Sequence, residues 1–190
     1  MWKRLGNPFA YYSEWQLIGM GLLALLAGSL TGWLGDARYD GVLDLHVGSG
    51  VQIWRPFLDN LVNIGSLFAP LYIFGLAINR KTRLIDILST VLVARIPYYG
   101  LPLLNVSGLV YQSSSKLVAN SMNGSPIDGG TIAVNIVFAA LAITAAALFI
   151  LWLFRGFQTA TNSKRTGHRW IFAGCILLAE VISKLGIAFL

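Results

Sequence analysis

Charge is scarce in this chain, and cysteine and histidine are nearly missing. Only 12% of the 190 residues are charged, eight of them acidic, beside one cysteine and two histidines. A lone Cys175 can neither close an intrachain disulfide nor supply a cysteine metal site, and inside an apolar run it reads as packing. Asp40, Asp44 and His46 fall short of a closed ligand set, because the second histidine, His168, lies across the predicted membrane. We therefore expect no metal and no cofactor. The sequence also has no phosphate-binding loop, dinucleotide fingerprint or zincin helix. His46 and Ser49 are neighbours, yet no strained elbow or oxyanion motif accompanies them, so an enzyme is not expected.

What the chain has in abundance is apolar surface, at 56% hydrophobic residues with a positive mean hydropathy of +0.67. A span needs about twenty such residues to cross a hydrocarbon core of about 30 Å at 1.5 Å per residue. Five segments qualify: 16–34, 60–78, 84–104, 131–154 and 170–190. The predicted fold is an all-α polytopic membrane bundle of five transmembrane helices forming one integral domain over 1–190, with little chain left for a soluble domain.

The basic residues orient it. Lys3, Arg4, Arg80, Lys81, Arg83, Arg155, Lys164, Arg165 and Arg169 fall on one side of these spans, whereas only Arg38, Arg55 and Lys116 fall on the other, with most of the acids. Lys and Arg in short loops set orientation, so the N-terminus is expected in the cytoplasm and the C-terminus outside it. Trp15, Trp33, Trp152 and Trp170 sit at predicted span ends, where an amphipathic ring suits the interface. The net charge of +6 is dispersed among juxtamembrane loops, which favours anionic lipid headgroups over nucleic acid as its partner. Lys3 and Arg4 ahead of an apolar run also resemble a secretory signal, but the run is long for one and follows Phe9, Tyr11, Tyr12 and Trp15. Retention as the first span is expected, with residues 1–15 forming an interfacial lead.

Two extracytoplasmic loops are long enough for structure. Residues 42–47 and 51–54 alternate apolar with polar about Gly48-Ser49-Gly50, which predicts a small β-hairpin laid on the outer surface of the bundle. The loop 105–130, rich in Ser, Asn and Gly, predicts an irregular cap, with a short helix about Lys116-Leu117-Val118 as the alternative. Ala24, Gly28 and Gly32 recur every four positions and predict a flat helix-packing stripe, with the Ala-rich fourth span as the facing helix. Packing within the chain is the favoured use of that stripe, and a homo-oligomer stays open.

The strongest functional hint is charge inside the spans, which costs at least ~2.5–3.5 kcal/mol at mid-depth. Arg95 lies about 16 Å into the third span and Glu180 about 15 Å into the fifth, so the two are level and predicted to pair. Lys184 is one turn beyond Glu180 and can join it, and Asp86 sits near the cytoplasmic interface. Pro97 and Pro102 should bend the third span and free carbonyls near Val93 and Tyr98 for the guanidinium. Asn60, Asn63 and Ser66 make the second span polar, and Pro70 bends it further in. Two readings follow: an interhelical ion pair that fixes register, or a polar pathway for a solute or proton.

The five-span layout, the lead Asn7-Pro8-Phe9 with Trp15, the stretch from Asp40 to His46, Arg83-Leu84-Ile85-Asp86 and Ala94-Arg95-Ile96-Pro97 together resemble the Yip family, in particular a bacterial branch of unassigned function. The resemblance implies a non-enzymatic scaffold or membrane-organising factor, in a bacterial inner membrane, with other membrane proteins as partners. The long cytoplasmic domain of eukaryotic members and its Asp-Leu-Tyr-Gly-Pro motif are missing here, so GTPase binding is not implied. The alternative class is a small transporter or channel subunit built on Arg95, Glu180 and Lys184. Transporters often carry inverted repeats, and none is evident among five spans.

Overall fold

The computed structural model describes residues 6–163 and 165–190, so Lys3, Arg4 and Lys164 of the basic tally lie outside the described residues. A short 3-10 turn at Pro8–Ala10 leads to α1, Glu14–Leu34. Ser13 caps α1: its hydroxyl accepts from the Gln16 amide while the Gln16 side chain accepts from the Ser13 amide, satisfying two otherwise unpaired donors. The strands β1, Ala37–Arg38, and β2, His46–Val47, follow, and then α2, Arg55–Ile78, and α3, Leu84–Ala94. The chain continues from α3 as a 3-10 segment, Ile96–Asn105. Three further helices complete it: α4, Leu109–Asn123, α5, Gly129–Thr161, and α6, Gly167–Ala188.

Among the described residues, five segments are long and apolar enough to cross a membrane: Glu14–Leu34, Arg55–Ile78, Leu84–Asn105, Gly129–Thr161 and Gly167–Ala188. Their outer faces are as oily as their inner ones, with Leu23, Ile73, Ile143 and Leu177 among the most exposed residues. Water-soluble domains rarely expose apolar surface so continuously, and the arrangement is compatible with an integral membrane protein.

The third span is the hub. Helix α1 packs along α3 and its 3-10 continuation, α5 packs on the same pair from another side, and α2 carries α6. The buried face of α1 runs Leu17, Gly21, Leu25, Gly28 and Gly32, three or four residues apart. A Cβ on Gly28 would fall 2.2 Å from the Tyr99 ring, and one on Gly32 would fall 2.9 Å from Pro56. The small-residue stripe therefore seats the 3-10 segment and the start of α2. This corrects the expectation that the Ala-rich helix faces it: bulky Tyr99 and Pro56 fill the cleared space, while α5 packs on the other flank of the third span.

Two loop expectations also change. The β-hairpin of 42–47 with 51–54 is not formed; His46–Val47 pairs antiparallel with the upstream Ala37–Arg38. Residues 51–54 instead lead by a turn into α2, and the backbone of Val42 and Leu43 is bonded to side chains of the bundle, so neither stretch is free to form a ladder. The expected irregular cap holds the 15-residue helix α4, bounded by Gly108 and Gly124 in left-handed conformations. Its polar run gave no apolar period because small hydroxyls make its buried contacts. Ser113 donates to the Thr131 carbonyl, and Ser114 to the Asn135 side chain.

Candidate functional site

Residues 39–45 read as a surface loop, yet Tyr39 and Val42 have no exposed surface. The two-stranded pairing of Ala37 with Val47 and Arg38 with His46 forms a neck, below which the chain dips as a plug between the helices. Asp36 closes the neck from a positive φ of 48°, its carbonyl accepting from the Gly48 amide and its carboxylate from the Val51 amide. Irregular backbone buried in this way leaves peptide groups without ladder partners, and each one stranded away from water costs about 1–3 kcal/mol. The polar residues of the spans supply those partners.

The peptide joining Val42 to Leu43 is held at both ends. Arg95 donates from one guanidinium nitrogen to the Val42 carbonyl at 3.1 Å, and a Glu180 carboxylate oxygen accepts from the Leu43 amide at 2.7 Å. Cation at the oxygen and anion at the N–H match the direction of the peptide dipole. The neighbouring groups are taken as well. Ser183 accepts from the Val42 amide, Tyr98 donates to the Leu43 carbonyl, and Asn63 donates to the Tyr39 carbonyl at 2.8 Å. Gly41 permits this approach, since a Cβ there would lie 2.5 Å from the Glu180 carboxylate.

Arg95 and Glu180 thus meet at the same plug peptide, but among the described ion pairs they do not pair directly. One plug peptide stands between them. Nor does Arg95 use the carbonyls near Val93 and Tyr98: α3 ends at Ala94, and the Tyr99 carbonyl, exposed by the 3-10 turn, accepts from Thr31 of α1. The second guanidinium nitrogen of Arg95 reaches Asn60 at 3.3 Å, and Asn60 in turn donates to Ser29 of α1. The rings of Tyr39 and Tyr98 each stand 5.9 Å from the Arg95 guanidinium. Arg95 Nε, Asn63 Oδ1 and the Tyr99 hydroxyl are buried and find no hydrogen-bond partner among the described residues.

Of the predicted cluster of Arg95, Glu180, Lys184 and Asp86, only Asp86 stands apart. Lys184 lies at the rim, 2.9 Å from Asp44 and 3.4 Å from Glu180. Asp86 is at the other end of the third span, bonded to Arg83, which also chelates Glu14 with two bonds of 2.7 and 3.0 Å. Asn60, Asn63 and Ser66 are all buried on α2, the first two bonded as described.

Arg38 and Asp59 are a pair the sequence reading did not single out. Asp59 is fully buried and takes two bonds from Arg38, at 2.7 and 3.1 Å. Donation to the Asp59 carboxylate raises the already high Arg38 pKa, and burial pushes the Tyr39 phenol up from its ordinary value. A signal existed: Asp59, Asn63 and Ser66 lie four and three residues apart, one helical face. Tyr39 itself gave none. Asp40, Asp44 and His46 do not assemble either; among the described residues no group of three or more His, Cys, Asp or Glu could hold a metal ion.

Comparison with known proteins found no matching family, no similar curated protein and no similar solved structure.

Proposed function

We propose that this chain is an integral membrane protein of five spans, N-terminus in the cytoplasm of a bacterium and C-terminus outside, acting as a non-enzymatic scaffold or membrane-organising factor of the Yip type. The observation that carries this reading is the state of Arg95. The cation of the third span has no exposed surface, and two of its nitrogens are engaged by Val42 and Asn60. A solute pathway needs its charged group to meet water or cargo. Among the described residues, Arg95, Asn60 and Glu180 line none of five well-formed cavities of 210 to 550 Å³. Intramembrane polarity here supports irregular backbone, which is an architectural task.

A gated pathway is the second reading, favoured by the buried and unpartnered Arg95 Nε, Asn63 Oδ1 and Tyr99 hydroxyl. In that case the plug moves aside. Purified protein in liposomes, assayed for proton and ion flux, separates the two: the scaffold gives flux no different from empty vesicles, and crosslinking in native membranes recovers other membrane proteins. Flux abolished by Asn60→Ala, in a variant that stays folded, would overturn the scaffold. Reporters after Gly50, Arg83, Ser125, Thr166 and Leu190 check the topology independently, with Arg83 and Thr166 inside.

A further inference from the structure

Helices α5 and α6 are joined by a short link yet lean on different partners, α5 on the third span and α6 on α2. They meet near the link, where the rings of Phe154 and Phe172 are 5.2 Å apart, and a groove of about 550 Å³ opens between them. Ala147, Ile150, Leu151, Ile176 and Leu177 form its walls. The volume falls in the range of ligand sites, about 300–1,000 Å³. One end of the groove is basic. Arg169 belongs to its lining, is exposed, and takes part in none of the described ion pairs. Trp170 beside it is 79% exposed, as an interfacial anchor would be. The other end is Leu43 of the plug, whose amide is bonded to Glu180 some 20 Å along α6 from its start.

From this we infer that the groove is a binding site for one anionic phospholipid, its phosphate at Arg169 and an acyl chain lying between α5 and α6 towards Leu43. The inference rests on the membrane reading above. A wedge with two apolar walls and a cation at one mouth matches the chemistry of such a lipid along its length: charge at the interface, hydrocarbon at depth. A helix from a second copy would fill the same walls but leave the arginine without a counter-ion. Because Leu43 also contacts the core through the plug, the bound chain touches the segment that Arg95 and Glu180 hold.

Full-length protein purified in detergent, stripped of lipid and offered phosphatidylglycerol or phosphatidylcholine, tests this by native mass spectrometry. One lipid per chain should be retained, with about a fivefold preference for the anionic one, the effect of a single basic residue at a charged surface. Arg169→Gln should abolish that preference and keep the adduct. Ala173→Trp and Ala147→Trp, each filling the groove from one wall, should remove the adduct, whereas Leu178→Trp, exposed outside it, should not. Equal retention in the filled and parent proteins, or an undiminished preference in Arg169→Gln, would overturn the site. A dimer that persists without lipid and is lost in Ala173→Trp would assign the groove to a second copy instead. Were the membrane reading itself wrong, the chain would remain soluble when detergent is withdrawn, a different observation from any of these.

Discussion

Arg83, just ahead of the third span, and Arg95, twelve residues further on within it, are treated in opposite ways. Arg83 has two carboxylates, Glu14 and Asp86, each bound through two hydrogen bonds, and its side chain is 57% exposed. Arg95 has no carboxylate and no exposed surface, only a carbonyl, an amide oxygen and two aromatic rings. The richer set of ion pairs is the weaker structural element, because water competes for every member of it. At Arg95 nothing competes, so each neutral acceptor matters. Counting salt bridges would rank the two arginines the wrong way round.

The sharpest test of that contrast is Arg95→Leu. It strands the Val42 carbonyl and the Asn60 amide oxygen at about 1–3 kcal/mol each, and should lower the melting temperature of the purified protein more than any other single substitution considered for these spans. The double exchange Arg95→Glu with Glu180→Arg should not restore stability. A carboxylate cannot donate to the Val42 carbonyl, and a guanidinium cannot accept from the Leu43 amide. Recovery in the double variant would mean that the two residues meet directly, and the peptide clamp would be wrong.

That clamp shows where the sequence stops being informative. Depth along a helix is countable, so Arg95 and Glu180 were placed level, and the five apolar runs coincide with the five long segments to within a few residues at most ends. What lay between the charges was hidden. Residues 42–47 read as a strand, and the features that make 39–45 a plug belong to other elements: Asn63 on α2, Tyr98 beyond α3, Glu180 and Ser183 on α6. Backbone demand for partners is invisible in a one-dimensional pattern. The full extent of helix α4, beyond the short helix offered at Lys116-Leu117-Val118, was hidden for a related reason, its buried face being Ser113 and Val110 instead of a run of Leu or Ile. By contrast Gly28 and Gly32 announced a close approach, and only the identity of the approaching Tyr99 and Pro56 had to come from the structure.

A smaller effect is expected at the other end of the span. Arg83→Gln removes four hydrogen bonds, but exposed ion pairs contribute little and are screened. Its melting temperature should sit close to that of the parent, and the residual difference should shrink as salt is raised from 50 mM to 500 mM, on the order of a threefold fall in Debye length. Arg95→Leu should keep its full deficit at both salt concentrations. If Arg83→Gln proved as damaging as Arg95→Leu, exposure would not be the variable that separates the two sites.

The smallest effect concerns an exposed charge outside the spans. Asp128 caps α5, accepting from the Thr131 hydroxyl at 2.6 Å and the Thr131 amide at 2.9 Å. The Thr131 side-chain bond, then the backbone bond, hold its carboxyl below the usual carboxylate range. A group whose pKa is depressed by folding contributes stability above its unfolded value, and that contribution is lost as pH falls through the lower folded value. Asp128→Asn keeps an acceptor and removes the titration, so it should be slightly less stable than the parent at neutral pH, where the negative charge also suits a helix N-terminus. The two proteins should converge in acid, below the folded value of Asp128. A difference in melting temperature that stayed constant from neutral to acid pH would show that the charge of Asp128 contributes nothing beyond its oxygens. It would also extend to a carboxylate the rule drawn from Arg83, that an exposed charge in this fold is held by geometry and adds little of its own.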